Sequence, residues 1–495
     1  MSSTITSTGT LIDETVFGGK IFIDGEWVDG EGGTAASLEP ATGATLATVG
    51  IAGPGDVARA AEGAARAQKE WAATPHPARA AVLRRAGQLW EQYAEEIGGW
   101  NTREVGAIPP LAGFALHVTA AECYEASALP SAPLGSVLSS EEPRLSFAQQ
   151  MPVGVVGVIS PFNVPLILGI RAVAPALALG NAVILKPDPR TVVTGGVSMV
   201  RIFEEAGLPK GLLQLVPGGA DVGEAMVADP RVRVIAFTGS TRAGRIVGEL
   251  AGRHLKRAHL ELGGNSAFII REDADVAQAV NLATWGSFLH QGQICMTVGR
   301  HIVHESVFEQ YVTALAEKAD SMHVGDPAAG PVHLGPLIDE VQRDRVHTLV
   351  QDAVAQGAEL RAGGTYEDLF YRPTVLANTP KDAAAYCDEV FGPVASVVSY
   401  STDDEAVALA SDTEYGLSLG IVTKDVLGGL AMAQRIPTGI VHINDQTVND
   451  EANAPFGGTG ASGTGSRHGG AQASIDAFTE TRWITMRREP GQYPL

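Results

Sequence analysis

At 495 residues, 45% hydrophobic and 18% charged, the chain has the composition of an ordinary water-soluble enzyme and the length of two or three domains. Its 56 acidic and 35 basic residues give a formal charge of −21, which repels nucleic acid and anionic membrane surfaces, and no basic run offsets it. The three cysteines, Cys123, Cys295 and Cys387, form no Cys-x-x-Cys pair, so zinc and dithiol redox motifs lack support, and so sparse and odd a set suits a reducing cytoplasm.

The first twenty residues carry neither the basic nor the apolar region of a secretory signal. In residues 20–28, Asp24-Gly25 between apolar alternations predicts a β-hairpin. From Gly55 to about Ile97 the chain is Ala-rich with helical spacing, and Trp71 and Trp90 are expected to anchor a core. Cys123 falls in a further helical run and is expected, like Cys387, to be a small buried hydrophobe. Residues 130–152 turn polar, with prolines near the start, then alternate; this reads as an excursion from the main body. The most apolar region, Met151 to Leu185, contains Asn163, Arg171 and several prolines and glycines. It therefore reads as buried strand, turn and helix rather than a membrane span.

A regular rhythm follows. Val153–Ile159 is a continuous apolar run, as a parallel strand buried on both faces requires. The next strands are expected at Ala182–Leu185, Leu212–Val216 and Val232–Phe237. Between and after them come helices ending near Gly180, running through Glu204 and Glu205, around Val222–Val227, and starting near Thr241. Such alternation predicts an α/β, doubly wound parallel sheet with its ligand crevice at the carboxyl ends of the strands. The rhythm restarts with a strand at Ala267–Ile270 and a long helix from Asp273 to His290, and continues to Ile443 as a second α/β domain. The tail from Phe478 holds the strand-like run Arg482–Arg488, expected to pair with another subunit.

Three residues carry the chemistry. Cys295 lies in the Gly- and Gln-rich stretch His290–Thr297, where a loop after a helix exposes a thiol and offers backbone N–H groups to an oxyanion. Glu261, before Gly263-Gly264, is a carboxylate at a strand end with room to reach a water as general base; a strand-terminal salt bridge is the plainer alternative. Asn163, in Ser160-Pro161-Phe162-Asn163, follows the first strand. The pattern alone leaves it two readings, an oxyanion donor or a cap on the next helix. A nucleotide is expected at Phe237-Thr238-Gly239-Ser240-Thr241-Arg242-Ala243-Gly244, where a helix start and a Ser hydroxyl suit a pyrophosphate. Lys186 ends a strand within reach of an adenosine ribose or phosphate. The Gly-x-Gly-x-x-Gly at Gly458–Gly463 follows no strand of a βαβ unit and is rejected as a fingerprint.

From about Ile21 to Trp483 the chain resembles the aldehyde dehydrogenase superfamily. The resemblance rests on ordered stretches: Ser160–Asn163, Lys186-Pro187, Phe237–Thr241, Glu261–Gly264, Gly292–Cys295, Glu389–Pro393, Tyr415–Leu417 and Pro455–Gly458. It implies Cys295 as nucleophile, Glu261 as general base and Asn163 as oxyanion donor beside the Cys295 N–H. It also implies a cofactor site for NAD, with NADP accepted as well, built from Ser160, Lys186, Gly239, Ser240, Gly244, Leu262, Glu389 and Phe391, and no metal. The implied architecture is a Rossmann-type cofactor domain (1–130 and 152–262), a catalytic α/β domain (263–477) and a small β oligomerisation element (131–151 and 478–495). These make a homodimer or homotetramer in the cytoplasm acting on a small-molecule aldehyde.

Departures from the family pattern refine this. Phe162 stands where Trp is common, and Gly460 where Lys is common. Pro189 occupies the position of a ribose-gripping Glu, so no carboxylate there repels the 2′-phosphate of NADP. The stretch His442–Glu451 resembles the branch acting on benzaldehyde, vanillin or salicylaldehyde, and Ile294, Met296, Phe162 and Val164 are expected as apolar pocket wall. The alternatives are an aliphatic or semialdehyde dehydrogenase, for which Arg300 is the nearest cation, and a catalytically silent binding or structural member.

Overall fold

Two seven-stranded sheets organise the chain, and a third has three strands. The computed structural model describes residues 10–133 and 135–494. The other positions, which include part of the stretch read for a secretory signal and the outer ends of the ranges 1–130 and 478–495, lie outside the described residues.

The first sheet runs Arg257–Glu261, Val232–Thr238, Val155–Ile159, Ala182–Lys186, Leu213–Leu215, then Lys20–Ile23 and Glu26–Asp29. Its first five strands are parallel, and the last two form an antiparallel hairpin. The hairpin turns on Asp24 and Gly25 at φ 54° and 79°, the left-handed pair that Asp-Gly favours. Helices Pro165–Ala178, Ser198–Glu205, Ala220–Ala228 and Thr241–Arg253 alternate with the strands, as the rhythm predicts. Trp71 and Trp90 are buried, and the Trp71 indole N–H donates to the Leu177 carbonyl at 2.7 Å.

From Val155–Ile159 the sheet grows one way through Ala182–Lys186 and Leu213–Leu215. The chain then returns to lay Val232–Thr238 and Arg257–Glu261 on the other side. This reversal opens a crevice where neighbouring connections diverge. Ser160, Lys186, Gly239 and Glu261 all fall at carboxyl ends of these strands.

The second sheet runs Glu359–Ala362, Thr374–Ala377, Val394–Tyr400, Val298–His304, Ser266–Ile270, Ser418–Val422 and Ile440–Ile443, all parallel but the first. The helix expected from Asp273 to His290 is shorter. Asp275 caps it by accepting from the Gln278 N–H, and it spans Val276–Phe288. His290, Gln291 and Gly292 then take φ of 54°, 57° and 68°, a left-handed run that no helix continues through.

In the third sheet Leu145–Pro152 pairs with Gly135–Val137 on one side and Thr479–Met486 on the other. Along one edge the tail strand pairs within its own chain, and among the described residues no strand pairs its other edge. Gly458–Gly463 forms a loop whose Thr459–Gly460 pairs with Tyr415–Gly416, with no helix opening from it, in keeping with its rejection. Among the described residues no helix is long and apolar enough to cross a membrane.

Candidate active site

The left-handed turn at 290–292 aims the loop that carries Cys295, and contacts from distant segments hold it. Two successive non-glycine residues in this conformation are costly and need support. The Gln291 amide donates to the carbonyls of Gly106 and Pro336 at 3.2 and 2.7 Å. Burial lowers the His290 pKa to about 4, so the ring is neutral, and its Nε2–H donates to the Asn163 carbonyl at 2.7 Å. Gly292 must be glycine: a Cβ there would lie 2.1 Å from the Gly392 carbonyl oxygen. Beyond the turn, Gln293 accepts from the Ile338 N–H at 3.0 Å and Thr447 Oγ1 donates to the Met296 carbonyl at 2.5 Å, pinning both sides of Cys295.

Cys295 is half-buried and opens onto a cavity of about 280 Å³. Burial, with Glu389 and Glu261 nearby, pushes its thiol up to about 12. Its backbone N–H makes no hydrogen bond among the described residues and is free to donate. Asn163 lines the same cavity. Its side chain does not cap the following helix, whose N-cap is Val164 without a side-chain bond; it donates instead to the Gln293 carbonyl at 2.8 Å. A carboxamide has two N–H donors, so one remains for an oxyanion.

The cavity walls are apolar. Leu111 and Phe114 come from the helix Pro109–Ala128, Ile167 and Leu168 from Pro165–Ala178, and Trp285 from Val276–Phe288. Ile294, Met296 and Val164 join them as expected, and Phe456 completes the wall. Phe162, expected there too, is not part of it. Its ring packs edge-on against Phe391 with centroids 5.9 Å apart, and the Arg190 guanidinium lies 4.2 Å from its centroid. Arg300 is no ligand for a substrate carboxylate either, because it is buried and donates to the carbonyls of Asn265, Leu409 and Ala410.

The cation that does border the cavity is Arg171, which sequence reasoning missed as a site residue. It pairs with Asp450 and, at 3.1 Å, with Glu122, and lies 4.6 Å from the Phe456 ring centroid. Its signal was available: a single charge in the otherwise apolar helix Pro165–Ala178 must find partners once buried.

Glu261 stands behind this wall. It shares a small void with Leu168, Arg171 and Phe456, three residues that also line the main cavity. Burial raises its pKa to about 8, against the pull of Arg171 and Arg467. No salt bridge engages it, contrary to the plainer sequence alternative, and neither carboxylate oxygen finds a hydrogen-bond partner among the described residues.

On the crevice side, Ser240 caps the helix Thr241–Arg253 by accepting from the Ala243 N–H at 3.3 Å, and that helix packs tightly on the turn after Glu261. A Cβ on Gly244 would lie 2.2 Å from Leu262 Cδ2. The Ser160 hydroxyl is buried with no hydrogen-bond partner among the described residues. Lys186 is buried with its pKa lowered by burial, Asp188 and Asp221 opposing. Glu389 accepts from the Gly264 N–H at 3.0 Å, and burial raises its pKa to about 7. The Arg345 side chain holds the Glu389 and Val390 carbonyls at 2.7 and 2.8 Å, so Phe391 is presented at a left-handed φ of 56°.

A doubly wound sheet with such a crevice, next to a thiol at an apolar cavity, is the arrangement of a nucleotide-dependent oxidoreductase. Residues 27–484 match the aldehyde dehydrogenase family, and the chain belongs to it. It is 63% identical over 485 residues to a vanillin dehydrogenase from an Amycolatopsis species, covering 98% of this chain and 100% of the relative. It is 48% identical over 483 residues to the benzaldehyde dehydrogenase [NAD(+)] of Pseudomonas putida, covering 97% and 99%. Among solved structures, a salicylaldehyde dehydrogenase from Pseudomonas putida G7 complexed with salicylaldehyde matches with a TM-score of 0.93 at 34% identity, covering 96% and 99%.

Proposed function

We propose that this protein oxidises an aromatic aldehyde of the vanillin and benzaldehyde type to its carboxylic acid, using NAD+ and accepting NADP+. The observation that carries this reading is the cavity at Cys295, small and walled by Trp285, Phe114, Phe456 and aliphatic side chains, a shape and chemistry suited to one aryl ring. The names of its relatives point the same way. Among the described residues the one cation in the wall, Arg171, is already ion-paired with Asp450 and Glu122 and so carries no net charge to spare for a semialdehyde carboxylate.

The crevice residues fit a dinucleotide. The partnerless Ser160 hydroxyl and the Lys186 ammonium lie where a ribose and phosphates would hydrogen-bond. The start of the helix at Ser240 suits a pyrophosphate, with Gly239 and Gly244 allowing close backbone approach and Leu262 packed beneath. Glu389 and Phe391 border the nicotinamide end. Next to Pro189, the Asp188 carboxylate is held by Arg190 at 2.9 Å, which lessens its repulsion of a 2′-phosphate. When bound, the oxidised nicotinamide takes up the hydride that leaves the aldehyde carbon.

The chain's own residues do the rest. Cys295 Sγ, its proton lost to solvent, adds as the thiolate to the carbonyl carbon, and the resulting oxyanion is held by the Cys295 N–H and the free donor of Asn163. Loss of hydride leaves a thioester on Cys295. Glu261 takes a proton from water, the hydroxyl oxygen bonds to the acyl carbon, the C–S bond breaks, and acid and thiolate separate. In this reading residues 1–130 and 152–262 form the cofactor domain and 263–477 the catalytic domain. Residues 131–151 and 478–495 build a homodimer or homotetramer, supported by the exposed Val137, Trp483 and Met486 on their sheet. Three free cysteines suit the cytoplasm.

The test is reduced-cofactor formation at 340 nm with benzaldehyde, vanillin, a short aliphatic aldehyde and succinic semialdehyde, each with NAD+ and NADP+. The aryl aldehydes are expected to win in kcat/KM by about tenfold or more, since filling an apolar pocket is worth ~1–3 kcal/mol. Preference for succinic semialdehyde sinks the aryl reading. Asn163→Ala is expected to lower kcat ~100- to 1,000-fold with little change in KM, the loss typical of one oxyanion donor. A change in KM alone would show that Asn163 only binds the ground state.

A further inference from the structure

Behind the substrate cavity lies a second void of about 10 Å³. Val158, Leu168, Ala172 and Ala236 give it apolar walls, and Arg171, Glu261 and His468 face it with polar ones. Glu261 and Arg171 are each only 3% exposed. Both Glu261 oxygens and Arg171 Nη1 lack a hydrogen-bond partner among the described residues. Buried charged groups are rarely left so, because each unsatisfied donor or acceptor carries its full desolvation cost. A single water needs roughly 10–15 Å³ and two or more polar partners, and this void offers both. Guanidinium only donates and carboxylate only accepts, while water does each.

We propose that the void holds one water that accepts from Arg171 Nη1 and donates to Glu261, making Arg171 a positioning residue that keeps Glu261 ionised for thioester hydrolysis. The proposal rests on the reading of Glu261 as general base. Four ionisable side chains face Glu261, and the Gly458 backbone N–H lies beside it and also favours its ionised form. Arg171 reaches it from the helix Pro165–Ala178, Arg467 and His468 from the segment after Gly458, and Cys295 from the nucleophile loop. His468 is neutral, its pKa lowered to about 3 by burial, His259 and Arg171. Arg467 already donates to the Gly458 and Ser466 carbonyls at 3.1 and 2.9 Å. Arg171 is thus the one cation with a free donor on the void, and Glu122 and Asp450 brace it from behind.

The test uses the whole enzyme with benzaldehyde and NAD+. Arg171→Met is combined with Asp450→Asn and Glu122→Gln, so that neither carboxylate paired with Arg171 is left buried without its cation. In this variant the acidic limb of steady-state turnover should move up by about one pH unit or more, lowering turnover on that limb ~10-fold. The burst of reduced cofactor should persist, and Arg171→Lys should restore most of the limb's position. An unmoved limb, or a loss confined to KM, overturns the proposal and leaves Arg171 as cavity wall. If Glu261→Gln keeps its steady turnover, the base reading itself falls, which is a separate result. Should the combined variant fail to fold, a crystal structure of the unmodified protein decides. A water within hydrogen-bond distance of both Glu261 and Arg171 Nη1 supports the proposal, and a dry void overturns it.

Discussion

Cys295→Ala is expected to abolish aldehyde oxidation, with kcat/KM down by about 10⁴-fold or more, the scale on which removal of a covalent nucleophile acts. The substitution leaves the loop's supports in place, because the contacts that hold it come from His290, Gln291, Gln293 and Thr447 rather than from the sulfur. The variant should therefore unfold within a few degrees of the parent, and cofactor binding, followed by quenching of protein fluorescence, should persist. Measured at 340 nm with benzaldehyde, the variant should show neither burst nor steady turnover. Retained turnover would mean that the hydride leaves an aldehyde never bound to sulfur, and the covalent route would be wrong. The thiol's own acidity adds a condition. Held up to about 12 by burial and two neighbouring carboxylates, Cys295 holds little thiolate in the free protein at neutral pH. Alkylation of Cys295 in the free enzyme should accordingly be slow and should accelerate with pH.

Much of this site can be read from the chain because its supports are local. Parallel strands buried on both faces need unbroken apolar runs, so Val155–Ile159 announces itself, and the carboxyl ends of such strands fix where a ligand sits. Ser160, Lys186, Ser240 and Glu261 follow from that rule. What escapes the sequence depends on partners far along the chain. His290 and Gln291 have no intrinsic preference for a left-handed backbone; Gly106 and Pro336 hold Gln291 there, so the preceding helix stops at Phe288 rather than at His290. Phe162 misleads because adjacency to Asn163 says nothing of direction. One side chain lines the cavity at Cys295 while its neighbour turns to Phe391 and Arg190. Arg171 reads in the sequence only as a reason against a membrane span. Its partners Glu122 and Asp450 lie in a distant helix and a distant loop, and no local pattern joins them.

Glu261→Gln is expected to separate the two halves of the reaction. Hydride transfer needs no base at the water, so one equivalent of reduced cofactor should still form in a burst. Steady turnover should fall ~100- to 10,000-fold, the range for loss of a general base. Rapid-mixing absorbance at 340 nm checks both. Loss of the burst as well would mean that Glu261 acts earlier, by taking the thiol proton. The pH dependence fixes the sign. A general base works ionised, and burial holds the Glu261 pKa up to about 8, so parent turnover should be low at pH 6, rise through about 8 and then level. In Glu261→Gln that limb should disappear. Stability supplies an independent check. A carboxyl group whose folded pKa lies above its unfolded value of 4.5 binds more protons when native. Its contribution therefore falls as pH rises from about 4.5 to 8, and is flat beyond. A carboxamide at this position has no proton to lose, so the variant's melting temperature should gain on the parent's across that window. A thermal melt series that shows the gain together with the kinetic loss marks Glu261 as a group kept buried at a cost in stability for its chemistry. A kinetic loss without the gain would place its carboxylate in contact with bulk solvent and remove burial as the cause of its raised pKa.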